Sequence, residues 1–148
     1  MDARTASVLV CVTDQPECHR LIRAGAMLAK QYRLPLYVVS VMPPRLVSVK
    51  TAEALQALYN VSSKLGAEMT VYFNDEAALT VAVHARKVEA GHLVIGAPGP
   101  GGNTFIEVVR DLLPEAELSM VTPSDGADGG ELQICRFPAA KPVRVAEA

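Results

Sequence analysis

The stretch HLVIGAPGPGGNTFIEVV, His92–Val109, decides how the chain is read. A short apolar run opens into four glycines and two prolines within Gly96–Gly102. Phe105, Val108, Val109 and Leu112 then follow at the i, i+3, i+4, i+7 spacing of an amphipathic helix, which Pro114 stops. Strand, glycine loop, helix is an order in which many α/β proteins hold an anion. Glycines let the backbone approach closely, and a helix N-terminus favours negative charge.

Working outward, four more apolar runs appear, at Ser7–Val12, Pro35–Val41, Ala67–Phe73 and Ala116–Val121. The first two, and the run at His92–Gly96, are near-continuous in Val, Ile and Leu, as strands buried on both faces require. Helical patterns lie between them. Leu21, Gly25, Leu28 and Tyr32 share one face, and Arg20, Arg23 and Lys30 another. Leu55, Leu58, Ser62 and Leu65 recur at helical spacing, and Gly66 follows as a C′ glycine. A third helix is expected from Asp75 to about Glu89, capped by Asn74 or Asp75, with Ala78, Leu79, Ala82 and Val83 inward and Gly91 ending it.

The alternation βαβαβαβαβ implies a five-stranded parallel sheet with helices on both faces, in the flavodoxin-like order 3-2-1-4-5. Ligands in such sheets bind beyond the strand C-termini, where the order reverses between strands 1 and 4. The glycine loop falls there. Residues 1–122 form the α/β domain. Thr122–Gly130 has linker composition, Glu131–Phe137 alternates like a sixth strand, and the remainder to residue 148 reads as a flexible tail.

Bulk properties remove several functions. A net charge of −2 and the absence of any basic run or Trp exclude a nucleic-acid footprint. No apolar stretch reaches membrane-spanning length, and the first residues lack a signal-peptide pattern, so the expected compartment is the cytoplasm. Three cysteines, without zinc-like spacing, read as reduced thiols, with Cys11 buried. His19, His84 and His92 form no metal-ligand spacing, and His84 is expected on a solvated helix face. Cys18 and His19 are neighbours on a helix and point apart, which makes a poor catalytic dyad. No catalytic motif is present, so no enzyme is expected. Asp14 and Glu17 lack the Lys after strand 5 that a phosphoreceiver needs, and capping of the first helix is the stronger reading of Asp14.

The segment VLVCVTDQPECHRLIRAGAMLAKQYRLPLYVVSVMPP, with LVIGAPGPGG further on, resembles the universal stress protein family. Within it, the chain is most similar to the universal-stress-like domain of osmosensitive potassium-channel sensor histidine kinases. The resemblance covers roughly Ser7–Thr122. It implies a single three-layer domain of the adenine-nucleotide-hydrolase-like type, a stress or signalling role, a protein partner in signalling, and a homodimer through strand 5, with the C-terminal segment as a further contact. Many members bind ATP, so ATP, AMP or another nucleotide is the implied ligand, through Gly-x2-Gly-x9-Gly-Ser/Thr after strand 4. Gly96 and Gly99 match the first two glycines. Only Pro100, Gly101 and Gly102 then precede Asn103-Thr104, so the loop is shorter than the motif. Thr13 stands where the family has an acidic residue, with Asp14 one place on, and Val41 matches the position beside adenine.

Chemistry weakens the nucleotide reading. Backbone N–H groups of Gly101, Gly102 and Asn103, with the Thr104 hydroxyl, are the cradle on offer. Yet Pro98 and Pro100 remove two N–H groups, and no Lys or Arg lies between Lys87 and Arg110. Thr104-Phe105-Ile106-Glu107 reads as a capping box that would use the same donors. Countercharge would have to come from Arg45 or Lys50, in the long connection after strand 2. The reading favoured is a regulatory or scaffold module with a degenerate nucleotide loop.

Overall fold

The structure, a computed structural model, describes residues 7–15, 18–96, 104–122 and 133–137. The elements run β1 (Ser7–Val12), α1 (Cys18–Tyr32), β2 (Leu36–Met42), a 3-10 turn (Pro44–Leu46), α2 (Val49–Lys64), β3 (Glu68–Phe73), α3 (Ala77–Lys87), β4 (Ala90–Gly96), α4 (Thr104–Leu112), β5 (Glu117–Thr122) and β6 (Gln133–Phe137). They build one sheet in the order β3-β2-β1-β4-β5-β6. The first five strands are parallel, in the expected order 3-2-1-4-5. β6 runs antiparallel along β5, pairing Leu118 with Phe137 and Thr122 with Gln133. The outer edge of β5 is thus occupied by the chain itself. Residues 123–130, read as linker, and 138–148, read as tail, lie outside the described residues, as do Glu131 and Leu132, read as the start of the sixth strand.

The apolar strands alternate between two cores, one on each face of the sheet. Val8, Val10 and Val12 pack with Leu21, Ile22 and Leu28 of α1 and Leu58 of α2. Leu9, Val39, Leu93 and Leu118 pack with Val81 and Ala85 of α3 and with Ile106 and Val109 of α4. β1 is central, with β2 on one side and β4 on the other. At its start, the Ser7 hydroxyl donates to the Val88 carbonyl at 2.7 Å, across 81 residues of sequence. α1 lies close to the sheet at Gly25, where a Cβ would overlap Val10 Cγ2.

Helix ends follow local chemistry. Ser48 caps α2 by accepting the Thr51 N–H at 3.2 Å, and Gly66 takes the left-handed conformation, φ +77°, just past its end. The end of α3 differs from expectation. Glu89 holds the left-handed turn, φ 56°, and Gly91 already belongs to β4. The start of α3 differs too: Glu76 precedes it without a side-chain cap, and Asn74 Oδ1 instead accepts the Glu76 N–H at 2.7 Å.

The inward face of α3 also needs correction. Val81, Ala82, His84 and Ala85 are buried, whereas Leu79 and Val83 are about half exposed. Two apolar stripes compete on this helix, and the one with small alanines packs closer to the sheet. His84 is therefore buried rather than solvated, and its Nδ1 lies 2.8 Å from the Tyr72 hydroxyl. Its Nε2 is buried without a hydrogen-bond partner. Burial, helped by the like charge of Lys87 and opposed by Glu68, holds the His84 pKa below its ordinary 6.5. Folding thus favours the neutral ring, so its contribution to stability is complete above about pH 6.5 and is lost as pH falls from there toward the lowered folded value. The melting temperature should drop more steeply between about pH 7.5 and 5.5 in the natural protein than in His84→Leu. Parallel slopes would remove His84 as the cause.

Among the described residues, no helix is long and apolar enough to cross a membrane.

Candidate ligand cavity at the sheet switch point

β1 and β4 are neighbours whose following helices leave to opposite faces, α1 to one and α4 to the other. A crevice must open between those connections. It does: a cavity of about 370 Å³ lies at the C-terminal ends of β1, β2 and β4. β1 supplies Cys11 and Val12, followed by Thr13 and Gln15. β2 supplies Val39 and Val41. β4 supplies Ile95 and Gly96. The helices add Cys18, Arg20 and Leu21 from α1, Ala77 and Val81 from α3, and Phe105 from α4, and Val121 comes from β5.

Three of the expected residues, Thr13, Val41 and Gly96, meet on this wall. Asp14 is not part of it. Its carboxylate accepts from the Thr51 hydroxyl at 3.4 Å, at the start of α2, so it serves the second helix rather than capping the first. Thr104 is exposed and is the first residue of α4, not the residue ahead of it, so the capping-box register is not the one formed. Its neighbour Phe105 faces the cavity instead. Gly99, Gly101, Gly102 and Asn103 lie outside the described residues, as do Pro98 and Pro100.

The expected cations are also elsewhere. Arg45 donates to Asp75 at 2.9 Å in an exposed ion pair, and neither Arg45 nor Lys50 contributes to the wall. Among the described residues, the cation that does is Arg20. Sequence spacing put Arg20 on one helix face with Arg23 and Lys30, away from Leu21, Gly25, Leu28 and Tyr32. The usable signal was its place in the first turn after β1, which in this topology borders the crevice.

Two thiols line the wall. Cys18 Sγ accepts the Thr13 N–H at 3.4 Å and lies 3.6 Å from the Thr13 hydroxyl. The partner of Cys18 is thus Thr13. Burial pushes the Cys11 thiol up to about 12, so it stays protonated and uncharged at neutral pH. Among the described residues, no group of His, Cys, Asp and Glu could hold a metal ion.

With this geometry in hand, the chain can be set beside known proteins. No curated protein matches it significantly. Several solved structures do. A universal stress protein from Archaeoglobus fulgidus superposes with a TM-score of 0.58 at 21% identity, covering 78% of this chain and 91% of that one. The Archaeoglobus fulgidus protein in complex with dAMP gives 0.53 at 23% identity, covering 78% and 95%. A universal stress protein in complex with cAMP gives 0.63 at 15% identity, covering 81% and 98%. At these identities the likeness speaks for the fold. The family model for universal stress proteins matches residues 5–109, the greater part of the chain, and so the chain belongs to the universal stress protein family.

Proposed function

We propose that this protein is a non-catalytic regulatory or scaffold module of the stress-protein class, cytoplasmic, in which the nucleotide loop is degenerate. One observation carries the reading. Among the described residues, the side chains on the cavity wall are apolar or thiol apart from Thr13, Gln15 and Arg20. A triphosphate needs several fixed donors and cations, and the described residues of the wall offer one guanidinium. The shortened span from Gly99 to Asn103 points the same way. Sequence likeness to the sensor-kinase domain supports a signalling setting, with a protein partner reading the module.

Isothermal titration with ATP, AMP and cAMP at millimolar ligand should give no saturable heat. A micromolar Kd for any of them would overturn the degenerate-loop reading. It would favour the second one, a nucleotide-binding stress module, for which the neighbours solved with dAMP and cAMP are the supporting observation. We also infer a homodimer at the C-terminal edge of the sheet. Because β6 covers β5, the contact would pass through β6. Sedimentation of a monomer at every concentration would refute it.

A further inference from the structure

We propose that the switch-point cavity binds a small monoanionic amphiphile, an apolar body bearing one carboxylate or sulfonate. The head group rests on Arg20, and the body lies against Val39, Val41, Val81 and Ile95. The inference rests on the reading that the glycine loop holds no phosphate chain.

Size comes first. A volume of about 370 Å³ falls within the range of small-molecule pockets. The wall then sets the ligand's character. Val39, Val41, Val81 and Ile95 are buried residues whose side chains neither donate nor accept. A purine edge against them would give up its hydrogen bonds to water and gain none from those side chains. An alkyl or aryl surface loses nothing there and leaves water.

Charge completes the choice. Arg45 is engaged with Asp75, and Arg86 donates to the Leu112 carbonyl at 2.8 Å. Arg20 makes no hydrogen bond or ion pair with any described residue, and its guanidinium carries five N–H donors. Among the described residues, no carboxylate stands on the wall to neutralise it, since Asp14 is turned to Thr51. Cys11 is neutral, so the thiol adds no competing anion. One guanidinium that no described residue compensates, beside an apolar pocket, matches one anionic head on an apolar body. A polyphosphate would bring charge that these residues do not balance.

The probe is 1-anilinonaphthalene-8-sulfonate, an aromatic body with a single sulfonate, titrated by fluorescence into the full chain. Saturation at one site per chain is expected, with displacement by decanoate. Neutral 1-decanol should displace it about tenfold less well, the scale of one charge-assisted hydrogen bond. Arg20→Gln should weaken decanoate by about tenfold and leave decanol unchanged. Val81→Trp, which fills the pocket, should abolish both. Should Val81→Trp fail to melt cooperatively, Arg20→Gln alone decides. Equal affinity for decanoate and decanol, or an Arg20→Gln protein that binds decanoate as the natural one does, overturns the proposal. So does the absence of decanoate displacement. If cAMP displaces the probe where decanoate does not, the degenerate-loop reading falls as well. If neither ligand displaces it, only the amphiphile fails.

Discussion

Leu93→Ala is expected to destabilise the protein by about 3–5 kcal/mol, the upper part of the range for a buried leucine. Leu93 sits on β4 with no exposed surface. Its register partners are Leu9 on β1 and Leu118 on β5, both also fully buried. The three leucines form a row across the centre of the sheet, beneath α3 and α4. Removing the middle one leaves a hole between two β-strands whose backbones are fixed by ladders on both sides. Such a site cannot collapse, so the cavity cost adds to the lost transfer free energy. A domain of this size is typically stable by about 5–15 kcal/mol, so the loss is a large share. Urea unfolding should show a lower midpoint with an unchanged m-value. A change under about 1 kcal/mol would mean that the neighbours relax into the space, contrary to the packing described.

Gly25→Ala is the second large effect, and its sign runs against helix propensity. In an exposed helix interior, alanine would stabilise by about 1 kcal/mol. Gly25 is instead where α1 meets the sheet. The added Cβ would overlap Val10 Cγ2 and approach Leu36 Cδ1 to 3.3 Å. Val10 is β-branched, fully buried and on the central strand, so it has little rotamer freedom with which to move. The helix must lift or the strand must bend, at a net cost of about 1–3 kcal/mol. The mechanism makes a further demand. In a Val10→Ala background, where the obstructing methyl groups are gone, Gly25→Ala should be close to neutral or stabilising. Additive effects in that double-mutant cycle would show that the overlap is not the cause.

Both effects depend on the sheet interior, and that part of the fold was legible in sequence. Ser7–Val12 is read to the residue, because a continuous Val/Leu run is the pattern of a strand covered on both faces. α3 was harder. Ala82 is buried and Ala78 packs against the core as expected, but Leu79 and Val83 are larger than Ala85, and size wrongly placed those two inward. Close approach to a sheet favours small residues, so the more apolar stripe is the exposed one. Glu89 was missed for a related reason. Glycine is the usual residue for a left-handed turn, and Gly91 stood two places away.

On the cavity wall, Thr13, Val41 and Gly96 were named from topology and family likeness, since both fix where strands end. Arg20 was not, because its place on the wall depends on which way the first turn of α1 faces. Arg45 looked suitable because its connection is long, yet its exposed pairing with Asp75 keeps it off the wall. The sixth strand was readable from the alternation in Glu131–Phe137. Its antiparallel seat on β5 was not, since alternation carries no information about direction.

The bond from Ser7 to the Val88 carbonyl bears on how the protein is made. β1 emerges from the ribosome before its neighbours, and β2 can join it soon after. Its other neighbour, β4, is still untranslated. At about 5–20 residues per second, the sequence separation of 81 takes roughly 4–16 s to synthesise. Throughout that interval the most apolar strand of the nascent chain has one edge unpaired. The central place of β1, which serves the finished molecule well, leaves the growing one dependent on whatever shields that edge until β4 arrives.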